Sequence, residues 1–169
     1  MKKLLLFLAI SSTFLFSSCE GEDGQDGISL LGQVFETTVN FHDSNNYRVS
    51  VTFPSSIEVF ESDVVLVYLL EGITPNGGDD IWSQLPQTYF NINGNPEDIL
   101  LYSFDHTFFD AEIFLDGNFD LSSLGNEFTD DQTFRIAIVP AEFASTNLSM
   151  EDLLQNLEIN SSQIETITN

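Results

Sequence analysis

The chain has 169 residues, and its 27 Asp and Glu side chains outweigh four Lys and Arg to give a formal net charge of −23. Such a surface excludes nucleic acid as a partner, because binding to phosphates depends on Lys and Arg, and it disfavours adsorption to anionic lipid. The length is enough for one domain after the N-terminal segment and too short for two comfortable ones.

The N-terminal residues form a short apolar segment, residues 4–16, which follows Lys2 and Lys3. Positive charges, a brief apolar core and small residues before a cleavage point are typical of a secretory signal peptide. The apolar run is shorter than the roughly 20 residues that a membrane-spanning helix needs. We therefore predict a signal peptide over residues 1–18.

The only cysteine of the chain directly follows this segment. Ser17, Ser18 and Cys19 resemble the lipobox of bacterial lipoproteins, in which the cysteine sulfur takes a diacylglycerol and the residue becomes the new N-terminus. Phe16 stands where the common pattern has leucine. We predict that Cys19 is lipidated and anchors the protein to a membrane. The alternative is a plain secretory signal followed by an unusual free thiol.

Residues 19–28 contain the stretch "CEGEDGQDG", which is acidic and rich in glycine. Gly21, Gly24 and Gly27 follow the collagen period, but Leu30 breaks it and no proline is present. A collagen triple helix needs Gly at every third position and is favoured by imino acids. We therefore interpret this segment as a tether between the lipid and a domain over residues 29–169.

The rest of the chain shows the two-residue alternation of half-buried β-strands. In "VFETTVNF", Phe35, Thr37 and Val39 share one face, and "YRVSVTF" alternates in the same way. The intervening "HDSNN" has turn chemistry, so we predict that these two strands form a hairpin. Further strands are predicted at "DVVLVYLLE", which is apolar on both faces and therefore central, and at "ILLYSF", "FFDAEIFL" and "TFRIAIV". Pro86 breaks "IWSQLPQTYFNI", which is either an edge strand or two short strands with a kink.

These elements predict an all-β fold, an antiparallel β-sandwich of about seven or eight strands with one short C-terminal helix. The helix is predicted at "SMEDLLQNL", where the apolar side chains recur at helical spacing and Ser149 precedes the first turn as a cap. We expect this helix to pack across an open end of the sandwich. The tail, residues 159–169, is either a final edge strand or a loose end.

Catalytic arrangements are not recognisable in the sequence. His42 and His106 lack a partner at metal-helix or hydrolase-elbow spacing, and no glycine-rich phosphate loop follows a strand. We predict that the protein is not an enzyme and has no cofactor.

The segment "DGNFDLSSLGNE" has the spacing of a calcium loop. Its candidate oxygen ligands are Asp116, Asn118, Asp120, Ser122 and Glu127. Leu121 occupies the position where such a loop needs glycine, and the flanking segments are strands rather than helices. We therefore predict no metal site here and favour a hairpin turn with Phe119 and Leu121 tucked inward.

Four aromatic residues suggest a different kind of site. Trp82, Tyr89, Phe90 and Tyr102 could form a platform on which sugars stack. The alternative is that they fill the core, because the chain uses sixteen phenylalanines as ordinary apolar filler.

The stretch "CEGEDGQDG" followed by "SDVVLVYLL", "IWSQLPQTYF", "IFLDGNFDLSSL" and "FRIAIVP" resembles a family of small, uncharacterised Bacteroidetes lipoproteins that carry a short collagen-like run after the lipid-modified cysteine. The resemblance implies a compartment and no mechanism. In that phylum, acidic residues after the cysteine resemble a signal for the outer leaflet, and Glu20, Glu22 and Asp23 match it.

The sequence therefore predicts a lipid-anchored protein of the outer membrane, exposed at the cell surface. The expected function is a non-enzymatic binding or accessory module for a glycan or a protein. A structural surface protein without a small ligand is one alternative, and a carboxylate-dependent glycan hydrolase is another.

Overall fold

A computed structural model describes residues 32–143 and 148–168. The predicted signal peptide, Cys19 and the tether up to residue 28 lie outside these residues. The strands are β1 Gln33–Val39, β2 Arg48–Thr52, β3 Asp63–Ile73, β4 Asp80–Gln84, β5 Gln87–Phe90, β6 Ile99–His106, β7 Asp110–Gly117, β8 Gln132–Pro140 and β9 Glu165–Ile167. The α-helices are α1 Asn126–Thr129 and α2 Met150–Asn156. Within the described ranges, no helix is long and apolar enough to cross a membrane.

The strands form two sheets, which confirms the predicted all-β sandwich. The five-stranded sheet has the order β4-β3-β8-β1-β9, and the four-stranded sheet has the order β2-β7-β6-β5. Neighbouring strands are antiparallel except β9, which runs parallel to β1 at the sheet edge. "IWSQLPQTYFNI" forms two short strands, β4 and β5, on either side of Pro86, which is one of the two predicted alternatives. With β9 from the tail, the described residues hold nine strands, against the predicted seven or eight.

The main core lies between the inner faces of the two sheets. The predicted alternation is confirmed in β1, where Phe35, Thr37 and Val39 are all buried. The largest buried side chains of this core are Phe35, Phe41, Val51, Val67, Leu100, Tyr102, Ile113, Phe134 and Ile136. Edge-to-face contacts join Phe41 to Tyr102 and to Phe134, with ring centroids 6.3 and 6.2 Å apart. Aromatic contacts therefore contribute to the packing of the two sheets against each other.

The predicted hairpin of β1 with β2 is wrong, because the two strands belong to different sheets. β1 pairs with β8, and β2 pairs with β7. The turn chemistry itself is present, since residues 43–45 form a 3-10 turn and Asn46 follows it in the left-handed region with a φ of 52°. The backbone N–H groups of Phe41 and Leu115 bond to the carbonyls of Thr129 and Tyr47 at 2.9 and 3.0 Å, so this connection crosses between the sheets.

Helix α2 forms where the sequence predicts it but packs elsewhere. The Ser149 hydroxyl accepts a hydrogen bond from the Asp152 N–H at 3.1 Å, which caps the first turn. The expectation that the helix covers an open end is wrong, because it lies on the outer face of the five-stranded sheet. Its buried residues contact a second apolar cluster that includes Val34, Leu66, Tyr68, Ala137 and Val139. Because β3 and β8 are apolar on both faces, both faces of the sheet must be covered.

The two ends of the sandwich hold different strand ends and connections. We call the end where β1 begins the entry end, and the opposite one the far end. Gln33 pairs with Ile138 and Asp63 pairs with Pro140, so β3 also begins at the entry end. The ring of Phe35 lies 6.1 Å from that of Phe53, whose N–H donates to the Phe109 carbonyl at 2.8 Å. The β6–β7 hairpin tip is therefore at the entry end too.

Two buried tyrosines, Tyr68 and Tyr102, and the half-buried Tyr89 predict how the fold responds to alkali. Burial raises the pKa of Tyr68 to about 12 from an ordinary value of 10.0. The pKa of Tyr102 is raised by burial and then by the charge of Glu71, and that of Tyr89 by burial and by its 2.6 Å hydrogen bond to Glu71. Since the fold favours the neutral phenols, this stabilisation is complete below pH 10 and is lost as the pH rises towards 12.

We expect phenolate absorbance to rise in a cooperative step that coincides with unfolding between pH 10 and about 12. A titration followed by ultraviolet absorbance and circular dichroism checks this. Complete ionisation of the tyrosines while the circular dichroism of the fold persists would contradict it.

Candidate binding cleft

The structure separates the four aromatic residues of the predicted platform. Tyr102 is buried in the core, where its ring lies 5.5 Å from that of Tyr89. Phe90 is exposed at the edge of the four-stranded sheet, whereas Trp82 lies on the outer face of the five-stranded sheet. The core interpretation is therefore right for Tyr102 and Tyr89, and no single surface contains all four rings.

The predicted calcium segment is a connection between the sheets, so its interpretation as a hairpin turn is wrong. It leads from β7 of one sheet to β8 of the other through a 3-10 turn and α1. Phe119 and Leu121 pack against the core as predicted. A crossover is needed here because β8 is a central strand of the five-stranded sheet, whereas β7 belongs to the opposite layer.

The side-chain oxygens of this connection accept hydrogen bonds from the backbone. Asp116 Oδ1 accepts from the Gly117 N–H at 2.8 Å, and Asn118 Oδ1 accepts from the Ile99 N–H at 2.8 Å. Asp120 Oδ1 accepts from the Ser122 N–H at 3.0 Å, and hydrogen bonds from Ser122 lower the pKa of Asp120. In the part of the chain that the structure describes, no three His, Cys, Asp or Glu side chains group as a metal site.

An open cleft of about 1010 Å³ lies on the outer face of the five-stranded sheet. One wall is the β3–β4 turn and β4, and the other is α2 with residues 159–161. Arg135 of β8 and Trp82 of β4 lie between these walls. Because β3 ends and β4 begins at the far end of the sandwich, the cleft is displaced towards the far end and away from the start of β1.

Arg135 and Trp82 form a stacked pair in this cleft. The guanidinium carbon of Arg135 lies 4.0 Å from the centroid of the Trp82 ring. Arg135 Nε donates to Glu36 Oε2 at 3.1 Å, and Nη2 lies 3.8 Å from Asp80 Oδ2. Arg135 is only 8% exposed, which is rare for arginine unless its charge is paired. The two carboxylates and the indole ring together compensate the buried charge.

Strand register brings these side chains together. Arg135 pairs with Glu36 of β1 on one side and with Tyr68 of β3 on the other. Trp82 pairs with Leu70, and the register shifts at Gly72, which has a φ of 148° that only glycine adopts readily. This bulge bends the end of the β3–β4 pair beside the cleft.

The walls of the cleft are polar and acidic. Asp79, Asp80 and Glu151 contribute three carboxylates, and Ser149 and Asn160 contribute hydroxyl and amide groups. The guanidinium of Arg135 is already paired with carboxylates. The cleft therefore repels anionic ligands and suits neutral or cationic ones that form several hydrogen bonds beside an aromatic ring.

The sequence analysis did not single out Arg135 as a site residue. It grouped Trp82 with three aromatic residues that lie on other surfaces or in the core. The signal that could have found the pair is the lone arginine in "TFRIAIV", a strand otherwise apolar on both faces. A charge there has to be paired with groups from neighbouring strands.

Searches of protein-family models, curated proteins and solved structures found no match to this chain. The resemblance to Bacteroidetes lipoproteins therefore stays a prediction. The function is inferred from the cleft and from the sequence of the N-terminal segment.

Proposed function

We propose that the protein is a lipid-anchored module of the outer cell surface, which binds a neutral glycan in the cleft without transforming it. The observation that carries this proposal is the Trp82 ring, which is held by the buried guanidinium of Arg135 and bordered by the carboxylate of Asp80. Neutral sugars are recognised by this combination, because their C–H faces pack on aromatic rings and their hydroxyl groups donate to carboxylates.

Preorganisation of the ring supports binding by this cleft. The guanidinium of Arg135 stacks on the Trp82 ring and is itself held by Glu36 and Asp80, so little side-chain freedom is lost when a ligand contacts the ring. The carboxylates of Asp79, Asp80 and Glu151 favour neutral over anionic sugars. Sulfated and uronic-acid glycans are therefore expected to bind more weakly than neutral ones.

We expect Trp82→Ala to weaken glycan binding at least tenfold, which corresponds to about 1.4 kcal/mol. The reason is the loss of the only indole surface of the cleft. A glycan array identifies the ligand, and calorimetry on wild type and variant measures the effect. Trp82→Tyr should retain part of the affinity because it keeps an aromatic face.

Phe90→Ala is the matched control, since Phe90 is an exposed aromatic residue outside the cleft. It should leave the affinity unchanged. Equal loss in both variants would contradict the cleft as the binding site. Absence of any glycan ligand would favour the structural surface protein, and recovery of a shortened glycan after incubation would favour the hydrolase.

The anchor at Cys19 is tested separately. We expect mass spectrometry of the membrane-extracted protein to show a mature N-terminus at Cys19 that carries acyl chains, and Cys19→Ser to prevent this modification. Protease treatment of whole cells should then release the domain, because the proposed location is the outer leaflet. An unmodified mature terminus would rule out the anchor while leaving the glycan-binding result intact.

A further inference from the structure

We infer that the entry end of the sandwich contacts the surface of the lipid bilayer through three exposed phenylalanines, Phe60, Phe108 and Phe109. This inference rests on the proposed anchor at Cys19. It adds a second, non-covalent contact with the membrane and gives the domain a defined orientation.

The three rings lie at one end of the domain. Phe109 is 78% exposed and Phe108 is 52% exposed at the tip between β6 and β7, and Phe60 is 43% exposed in the β2–β3 connection. The Phe109 carbonyl accepts from the Phe53 N–H at 2.8 Å, and the Phe60 carbonyl accepts from the Asp63 N–H at 3.0 Å. Both bonds tie the backbone of these phenylalanines to strands that end or begin at the entry end.

The length of chain between the proposed anchor and β1 limits how far the entry end can lie from the membrane. β1 begins at Gln33, and Cys19 is separated from Gly32 by the twelve residues 20–31. Even fully extended, these residues span no more than about 45 Å. An anchored domain therefore meets the bilayer at a high effective concentration, so that even a weak apolar contact becomes populated.

The chemistry of the tip fits an interfacial contact. Two adjacent phenylalanines at a hairpin tip project the rings beyond the backbone, and aromatic rings favour the membrane–water interface. The nearby carboxylate of Asp110 is held by hydrogen bonds from the hydroxyl groups of Thr107 and Ser50. Because the domain is strongly acidic, the contact depends on apolar insertion and needs no anionic lipid.

The experiment places a single tryptophan at the tip. Phe109→Trp is introduced into a Trp82→Phe background, and the mature chain is coupled through Cys19, its only thiol, to maleimide-bearing lipid in phosphatidylcholine vesicles. Lipids with brominated acyl chains then quench tryptophans that reach the hydrocarbon. The matched control is Phe90→Trp in the same background, because Phe90 is 66% exposed at the far end. The eight residues of β6 separate the two positions by about 25 Å.

We expect the probe at position 109 to be quenched roughly twofold more than the probe at position 90, with a blue-shifted emission, because only the first reaches the bilayer. Phe60→Ser with Phe108→Ser should reduce that difference. Equal quenching at the two positions, or none at 109, would overturn the inference, and the latter result would favour a protein partner for the tip. Chemical coupling makes the result independent of acylation in the cell, so a failed anchor and a failed contact are distinguishable.

Discussion

Replacement of Arg135 by alanine is expected to destabilise the domain by about 1–3 kcal/mol. This is less than the roughly 3–5 kcal/mol for a fully buried ion pair, because the Glu36 side chain is 25% exposed and that of Asp80 46% exposed. The variant leaves the Glu36 carboxylate without its 3.1 Å hydrogen bond and removes the cation from the Trp82 ring. Equilibrium denaturation in urea measures the loss. The same variant should weaken glycan binding, since the ring loses its support.

A double variant distinguishes the contribution of the Arg135 charge to stability from the contribution of its side-chain packing. Arg135→Met keeps an unbranched apolar stem, and Glu36→Gln removes the charge that would otherwise be left unpaired. We expect the pair of substitutions to recover part of the stability lost in Arg135→Ala, because no unpaired charge remains at position 36 and the methionine side chain still packs against Trp82. A loss below about 1 kcal/mol in Arg135→Ala would contradict the buried pair, since exposed ion pairs contribute that little.

Leu153→Ala is expected to destabilise the domain by about 2–5 kcal/mol and to lower Tm by roughly 10 °C. Leu153 is 0% exposed and lies in the apolar cluster between α2 and the outer face of the five-stranded sheet. Its truncation leaves a cavity that the sheet cannot fill, because Val34 and Leu66 are fixed by strand pairing. Thermal and urea denaturation measure the effect.

Asn156→Ala is the control on the same helix. Asn156 is exposed at the last turn of α2, so the change should stay within about 0.5 kcal/mol. If both variants were equally neutral, α2 would not be part of the core. That outcome would also remove one wall of the cleft.

The sequence predicts which face of a strand is buried, but it does not predict which strands pair with each other. Alternation in β1 correctly identifies Phe35, Thr37 and Val39 as buried, because burial follows from the pleat of one strand. It cannot tell which strand lies alongside. β1 is bound by β8, whose paired residues lie about a hundred positions away, whereas the turn after β1 is compatible with either a hairpin or a crossing.

The sequence likewise predicts that α2 forms, but not which part of the sandwich it packs against. Capping by Ser149 and the spacing of Met150, Leu153 and Leu154 depend on local chemistry, so α2 was predictable. Its position depends on the outward side chains of β3 and β8, such as Leu66 and Ala137. These apolar side chains indicate that the outer face of the sheet is covered. Helix α2 covers it, and therefore does not lie across an open end.

The cleft depends on still more distant residues. Its ring comes from β4, its guanidinium from β8 and its second wall from α2 and residues 159–161. Short motifs carry no information on such an arrangement. Only the unusual placement of Arg135 in an apolar strand indicated that a polar network had to surround it.

The position of β1 has a mechanical consequence. Seven residue pairs join β1 to β8, and β9 holds its other edge. If the lipid pulls on the start of β1 while a ligand pulls on the cleft near the far end, the tension runs lengthwise along these strands. Rupture then requires the strands to slide past each other, which loads all ladder hydrogen bonds at once instead of opening them one by one. A domain tethered in this way would resist shear at a cell surface.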